Sequence, residues 1–208
     1  MYTLTSINIA QPRLVGKTRT GIDKQPFNGA ISVMREGLPG DFIGSVKHHG
    51  GPGQALYIYG AADYAWWRTE MGRDLPPGIF GENLTIEGLE SASVAVGDRL
   101  TIGDVLLEVT APRIPCGTFA AWMGEEGFAM RFRRAGRPGL YVRVLTPGAL
   151  QAGMPVAYQP YDGERVTILE MFEDYYDKCM DETCIRRLLA APIAERDRRK
   201  IEQRLPAV

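Results

Sequence analysis

Residue types suited to chemistry gather at separate points of the chain. The first is Pro112-Arg113-Ile114-Pro115-Cys116-Gly117. Two prolines fix φ around Arg113 and Ile114, and the glycine after the cysteine permits close backbone approach. The segment presents one thiol and one guanidinium from a rigid strand end. A thiolate is a soft-metal ligand and an arginine pairs bidentately with phosphate, so together they suit a soft metal and an anion. On chemistry alone, an inert cysteine behind a strand is the commoner case.

The second point is Lys47-His48-His49-Gly50-Gly51-Pro52-Gly53, which holds both histidines of the chain. Glycine amides in such a loop can cradle an anion beside lysine and histidine. No Gly-Lys-Ser/Thr follows, which speaks against a nucleotide phosphate loop. Adjacent histidines in a strand point in different directions, so a two-histidine metal site is not expected. A solvated glycine turn fits equally well. The third point is Phe80-Gly81-Glu82-Asn83, where an amide beside glycine suits the edge of a heterocycle, or merely closes a turn. Arginines 113, 131, 133, 134, 137 and 143 face only Glu125 and Glu126 in the same stretch. That local excess fits an anionic small ligand or an acidic partner, and equally a solvated helix face. Cys179 and Cys184 match no zinc or redox spacing and are expected, like Cys116, as reduced thiols. Trp66, Trp67 and Trp122 are expected in the core.

These residues need strands and turns to position them. Ile31–Val33, Leu84–Ile86, Leu100–Ile102, Val105–Val109, Leu140–Val144 and Val156–Tyr158 alternate with period two. The Gly103-Asp104 corner predicts a hairpin between two of these runs. Tyr64, Trp67 and Met71 predict one helix, and residues 117–132 another in part. Many short strands among Gly and Pro turns predict a β-barrel or sandwich. Of 24 glycines only Gly163 lies beyond Gly153. The expected organisation is therefore a barrel domain over residues 1–160 and a small three-helix domain over 161–208, with Pro192 in a first helical turn.

Lysines and arginines number 24 against 25 acidic residues. That balance argues against sequence-independent binding of a nucleic-acid polymer and against an anionic membrane surface. No apolar run approaches a spanning helix, and Met1–Thr5 lacks signal-peptide character, so a cytoplasmic location is expected.

The order of the motifs is more specific than any one of them. Gly37-Leu38-Pro39-Gly40-Asp41, His49-Gly50-Gly51, Phe80-Gly81-Glu82-Asn83-Leu84, Val96-Gly97-Asp98, Pro112–Cys116 and Gly139-Leu140-Tyr141-Val142-Arg143-Val144 follow in turn. This series resembles the MOSC domain, named for the C-terminal part of molybdenum-cofactor sulfurases. Within it, the likeness is to the bacterial YiiM-like subgroup that confers resistance to hydroxylaminopurine. It runs from about residue 25 to 156, and the tail resembles that subgroup's C-terminal three-helix domain. The resemblance implies a barrel of mixed strands and a molybdenum cofactor, with Cys116 as protein ligand to the metal. It implies reductive removal of the hydroxyl oxygen from N-hydroxylated bases or amidines. Electrons would come from a separate flavoprotein or ferredoxin-type protein. Arg113 would grip the pterin phosphate, and Gly81, Glu82 and Asn83 would line the cofactor pocket. Gly50, Gly51, Lys47 and His48 would flank it, with His49 as a catalytic proton donor. Asp41 and Asp98 are expected in turns. Two other functions stay open: a sulfur carrier using a Cys116 persulfide, and a non-catalytic module that binds cofactor or a partner. A homodimer is also expected.

Overall fold

The computed structural model describes residues 1–206, apart from the side chains of Lys47 and His48. The chain opens with its longest strand, β1 (Tyr2–Ala10), followed by β2 (Arg13–Val15), β3 (Thr18–Thr20), β4 (Lys24–Pro26) and β5 (Ile31–Val33). A short helix α1 (Val46–His49) precedes β6 (Leu56–Gly60), α2 (Ala61–Met71) and β7 (Leu84–Glu87). Then come β8 (Arg99–Ile102), β9 (Val105–Pro112), α3 (Gly117–Met123) and α4 (Phe128–Ala135). After β10 (Leu140–Thr146), β11 (Gly148–Leu150) and β12 (Pro155–Gln159), the chain ends in α5 (Ile168–Tyr176), α6 (Glu182–Ala190) and α7 (Glu195–Glu202).

Strands pair in the order β12-β8-β9-β10-β6-β7-β1, and β1 pairs back on β12. The result is a closed seven-stranded barrel, the mixed-strand barrel that the sequence predicts. Closure leaves these strands no open edge to template aggregation. Antiparallel neighbours need only tight turns, as at the Gly103 corner between Ile102 and Val105. The pair β6–β7 is parallel and needs a crossover, which α2 provides.

Alternation along the strands sorts two cores. Leu56 and Ile58 of β6, Val105, Leu107 and Val109 of β9, and Leu140, Val142 and Val144 of β10 fill the aliphatic interior. Their odd-phase neighbours Tyr57, Tyr59 and Tyr141 face an aromatic layer with Trp67, Phe80, Phe119, Phe128 and Phe132. That layer lies under α2, α3 and α4. Trp67 is fully buried, and its Nε1 donates to Tyr59 Oη at 2.8 Å.

The tail helices share the aliphatic core through Ile168, Met171, Ile185, Leu188 and Ile201. A capping box at Thr167 and Glu170 starts α5. Backbone bonds also tie tail to barrel: Ile168 N donates to Val94 O at 2.7 Å, and Ala194 N to Thr110 O at 3.1 Å. Two expectations are corrected here. Pro192 precedes α7 instead of occupying its first turn, because Ile193 and Ala194 are buried and extended against the barrel. Cys179 and Cys184 form a disulfide instead of staying reduced; the irregular segment between α5 and α6 brings their Cα atoms to 6.4 Å, within disulfide reach. No helix among the described residues is long and apolar enough to cross a membrane.

Candidate functional site

A cavity of about 520 Å³ opens where the end of β9, the loop after α1 and helix α7 meet. Its walls include Cys116, Arg113, His49, Asn83 and Gly81 from the sequence reading. It therefore gathers residues from three separated motifs. Glu82, Gly50 and Gly51 are not among its lining residues. The side chains of Lys47 and His48 lie outside the described residues.

Strand β9 delivers Arg113 and Cys116 to this cavity. Cys116 is a free cysteine at the N-cap of α3 and is partly exposed. Arg113 is 4% exposed. Its Nη1 donates to Phe80 O, and its guanidinium lies 5.0 Å from the Tyr57 ring centre and 4.4 Å from that of Phe119. Its Nε has no hydrogen-bond partner, and among the described residues no carboxylate forms an ion pair with it. A desolvated cation without a counter-charge is costly alone. Burial works against the Arg113 charge, but Tyr57, Tyr141 and Cys116 outweigh it and hold its pKa above the ordinary arginine value. Gly81 is needed here twice over. Its φ is +76°, and a Cβ would stand 3.0 Å from Arg113 Nη1.

Lys24 and Asp41 also line the cavity, with Lys24 Nζ 2.6 Å from each Asp41 oxygen. Burial pulls the Lys24 ammonium below its ordinary value, and Asp41 restores part of it. Asp41 also accepts from Ala10 N and from Asn83 Nδ2, both at 2.8 Å. It is thus a buried hub, beyond the turn role read from sequence. Asn83 Oδ1 accepts from Tyr57 N at 3.1 Å, so its amide is committed to the wall. Asp98 does sit in a turn, but it also accepts from Tyr158 and Tyr161 and so anchors the start of the tail.

His49 Nδ1 lies 3.1 Å from Tyr141 Oη. Burial raises the Tyr141 phenol above its ordinary pKa, so it holds its proton across the neutral range. Glu82 is fully buried behind the cavity wall. Its Oε1 accepts from Tyr64 Oη and Gly78 N at 2.6 Å and from Thr85 Oγ1 at 2.9 Å, while Oε2 has no partner. Burial raises its carboxyl pKa.

Sequence reasoning missed Tyr57, Tyr141, Lys24, Arg19, Arg196 and Lys200 as cavity residues. Arg19, Lys24, Arg113, Arg196 and Lys200 line the cavity against Asp41 and Asp197. That excess makes the local positive charge, and of the 113–143 arginine run only Arg113 belongs to it. Within the run, Arg131 pairs with Glu70 and Glu125, Arg133 with Asp177, Arg137 with Asp63 and Glu90, and Arg143 with Glu108. Most of the expected basic patch is therefore dispersed into ion pairs, because, Glu125 apart, the acids come from segments distant in sequence.

The MOSC domain family matches residues 45–157, over half of the chain, and the chain belongs to that family. It is 30% identical over 193 residues to YflK of Bacillus subtilis, covering 91% of this chain and 87% of that protein. A protein named Reductase from Gibberella moniliformis is 32% identical over 163 residues, which cover 74% of this chain and 28% of that protein. The crystal structure of YiiM from Geobacillus stearothermophilus aligns with a TM-score of 0.83 at 25% identity, over 99% of this chain and 100% of that one. The fold is YiiM-like along its whole length.

Proposed function

We propose that this protein binds a molybdenum cofactor in the cavity and reduces N-hydroxylated bases or amidines, using electrons from a separate redox protein. The observation that carries the reading is a free thiol and a buried guanidinium, which pairs with no carboxylate among the described residues, facing one cation-lined cavity. MOSC membership and a relative named Reductase support it.

The residues present fit such a group. Among the described residues, no cluster of three or more His, Cys, Asp or Glu side chains could hold a metal. A metal here would need ligands from an organic cofactor, with Cys116 as the protein's own contribution. Arg113, with its unpartnered Nε, would pair with the phosphate, and Arg19 and Arg196 would add to the attractive field. When bound, the cofactor supplies the two-electron change that breaking an N–O bond requires. The overall conversion takes two electrons and two protons, and it yields the amine and water. His49 stands where it can pass a proton to a ligand, with Tyr141 fixing its ring. Tyr57 and Phe119 flank the guanidinium and keep water from it.

The test is reduction of 6-hydroxylaminopurine to adenine by the molybdenum-loaded protein, with reduced viologen as electron source. Wild type is expected to turn over, and Cys116→Ser to lose the activity at least about a hundredfold. Loaded wild type that leaves the N–O bond intact would count against the reading.

A further inference from the structure

The tail reaches the cavity through α7. Arg196, in its first turn, lines the cavity wall. Its Nη1 donates to Gln54 Oε1 at 2.7 Å, and its Nη2 donates to Gly50 O at 3.0 Å. Both acceptors belong to the loop that follows His49. The barrel grips the same loop from inside. Thr110 Oγ1 donates to Gly53 O at 2.6 Å, Ala55 N to Val142 O at 2.9 Å, and Tyr141 Oη meets His49 Nδ1. Thr110 O also accepts from Ala194 N at the start of α7. A Cβ on Gly53 would come within 3.5 Å of the Ala194 Cβ, so loop and helix are in close apposition.

We propose that Arg196 is a positioning residue of the binding site. It holds the His49–Gln54 loop against the barrel, so that His49 is presented to a phosphate-bearing ligand in the cavity. Helix α7 is then a wall of that site as well as part of the tail. A planar guanidinium reaches two acceptors at once, which an ammonium cannot do. Lys200, one turn further along, pairs with Asp197 at 3.1 Å, and Arg19 and Arg113 add positive charge to the lining, so the ligand's expected sign is negative. The proposal deepens the cofactor-binding reading and rests on it for the role of His49. Its readouts use protein without metal, so they succeed or fail independently of molybdenum chemistry.

The experiment compares wild type with Arg196→Gln, Gln54→Leu and the control Arg199→Gln. Arg199 is exposed and pairs with Glu195 on its own helix. Three quantities are read: amide exchange at residues 50–55, the ¹⁵N tautomer signature of the His49 ring, and calorimetric affinity for pyrophosphate. In Arg196→Gln, loop exchange is expected to quicken by about tenfold and pyrophosphate binding to weaken by about tenfold. The His49 ring is expected to lose its single tautomer. Gln54→Leu should move all three readouts the same way by a smaller factor, and Arg199→Gln should move none. Unchanged loop exchange and tautomer in Arg196→Gln would overturn the proposal, even if pyrophosphate binding fell. Equal quickening in the hairpin of β8 and β9 would also overturn it, by showing general destabilisation. Wild type that fails to bind pyrophosphate would overturn the ligand class.

Discussion

Arg113 and Arg137 stand 24 residues apart in sequence and meet opposite electrostatic surroundings. Arg137 lies at the outer surface beside α2, where it pairs with buried Asp63 at 2.9 Å and with exposed Glu90 at 3.0 Å. Its neighbours in sequence, Arg131 and Arg133, are likewise committed to carboxylates. Arg113 in the cavity wall has a backbone carbonyl, two aromatic rings and an unpartnered Nε. The outer arginines satisfy charges that the fold itself contains. The cavity arginine carries a charge that the fold leaves for something else. Cation density along the sequence therefore points to the wrong place, and the balance of each cation with its partners points to the site.

Exchanging roles between the two regions should break this contrast where it is wrong. The largest stability effect is expected from Arg137→Met. It leaves the Asp63 carboxylate buried with Ser91 N and without its cation, at a cost of about 3 kcal/mol read by chemical denaturation. Arg113→Met should do the converse. Removing a desolvated charge while orphaning one carbonyl should leave stability within about 1 kcal/mol of wild type. Pyrophosphate affinity, by contrast, should drop by more than about tenfold. A large stability loss with intact anion binding would reverse the assignment.

Glu82 sharpens the comparison from the acidic side, since it lies beside the cavity motif and yet faces the wall. Its folded pKa lies above the ordinary value of 4.5 because burial disfavours the carboxylate. The stability it contributes is therefore complete below the unfolded pKa and is lost as pH rises through the folded one. Glu82→Gln should flatten that decline in a stability-versus-pH series and leave pyrophosphate binding unchanged. The smallest effect is expected from Arg131→Gln. This residue is solvated, and its two surface pairs should contribute below about 0.5 kcal/mol, with no effect on ligand.

Much of the fold was legible because its signals are local. The Gly103 corner sits between two clean alternations, and Tyr64, Trp67 and Met71 repeat at helical spacing on α2. Two strands of the closed barrel escaped for identifiable reasons. Strand β1 carries a register shift between Leu4 and Ser6, so its inward phase changes from Leu4 to Ile7 and the period-two signal breaks. Strand β6 is buried on both faces, between the aliphatic interior and the aromatic layer, so its aliphatic–aromatic alternation carries no apolar–polar signal. The site divides in the same way. Cys116 and Arg113 were readable because prolines and a preceding strand frame them. Lys24 with Asp41, and Arg196 with Gln54, were not, since chain topology alone joins partners 17 and 142 residues apart. Glu82 and Asn83 illustrate the limit of motif reading: one stabilises the wall, the other stitches it to β1 and β6.

Whether Cys116 holds a molybdenum cofactor is read most directly from molybdenum content by elemental analysis, on wild type and Cys116→Ala made in a host that supplies the cofactor. Near-stoichiometric molybdenum is expected in wild type, and its loss in the variant. Equal molybdenum in both proteins, or none in wild type, would contradict that role of Cys116.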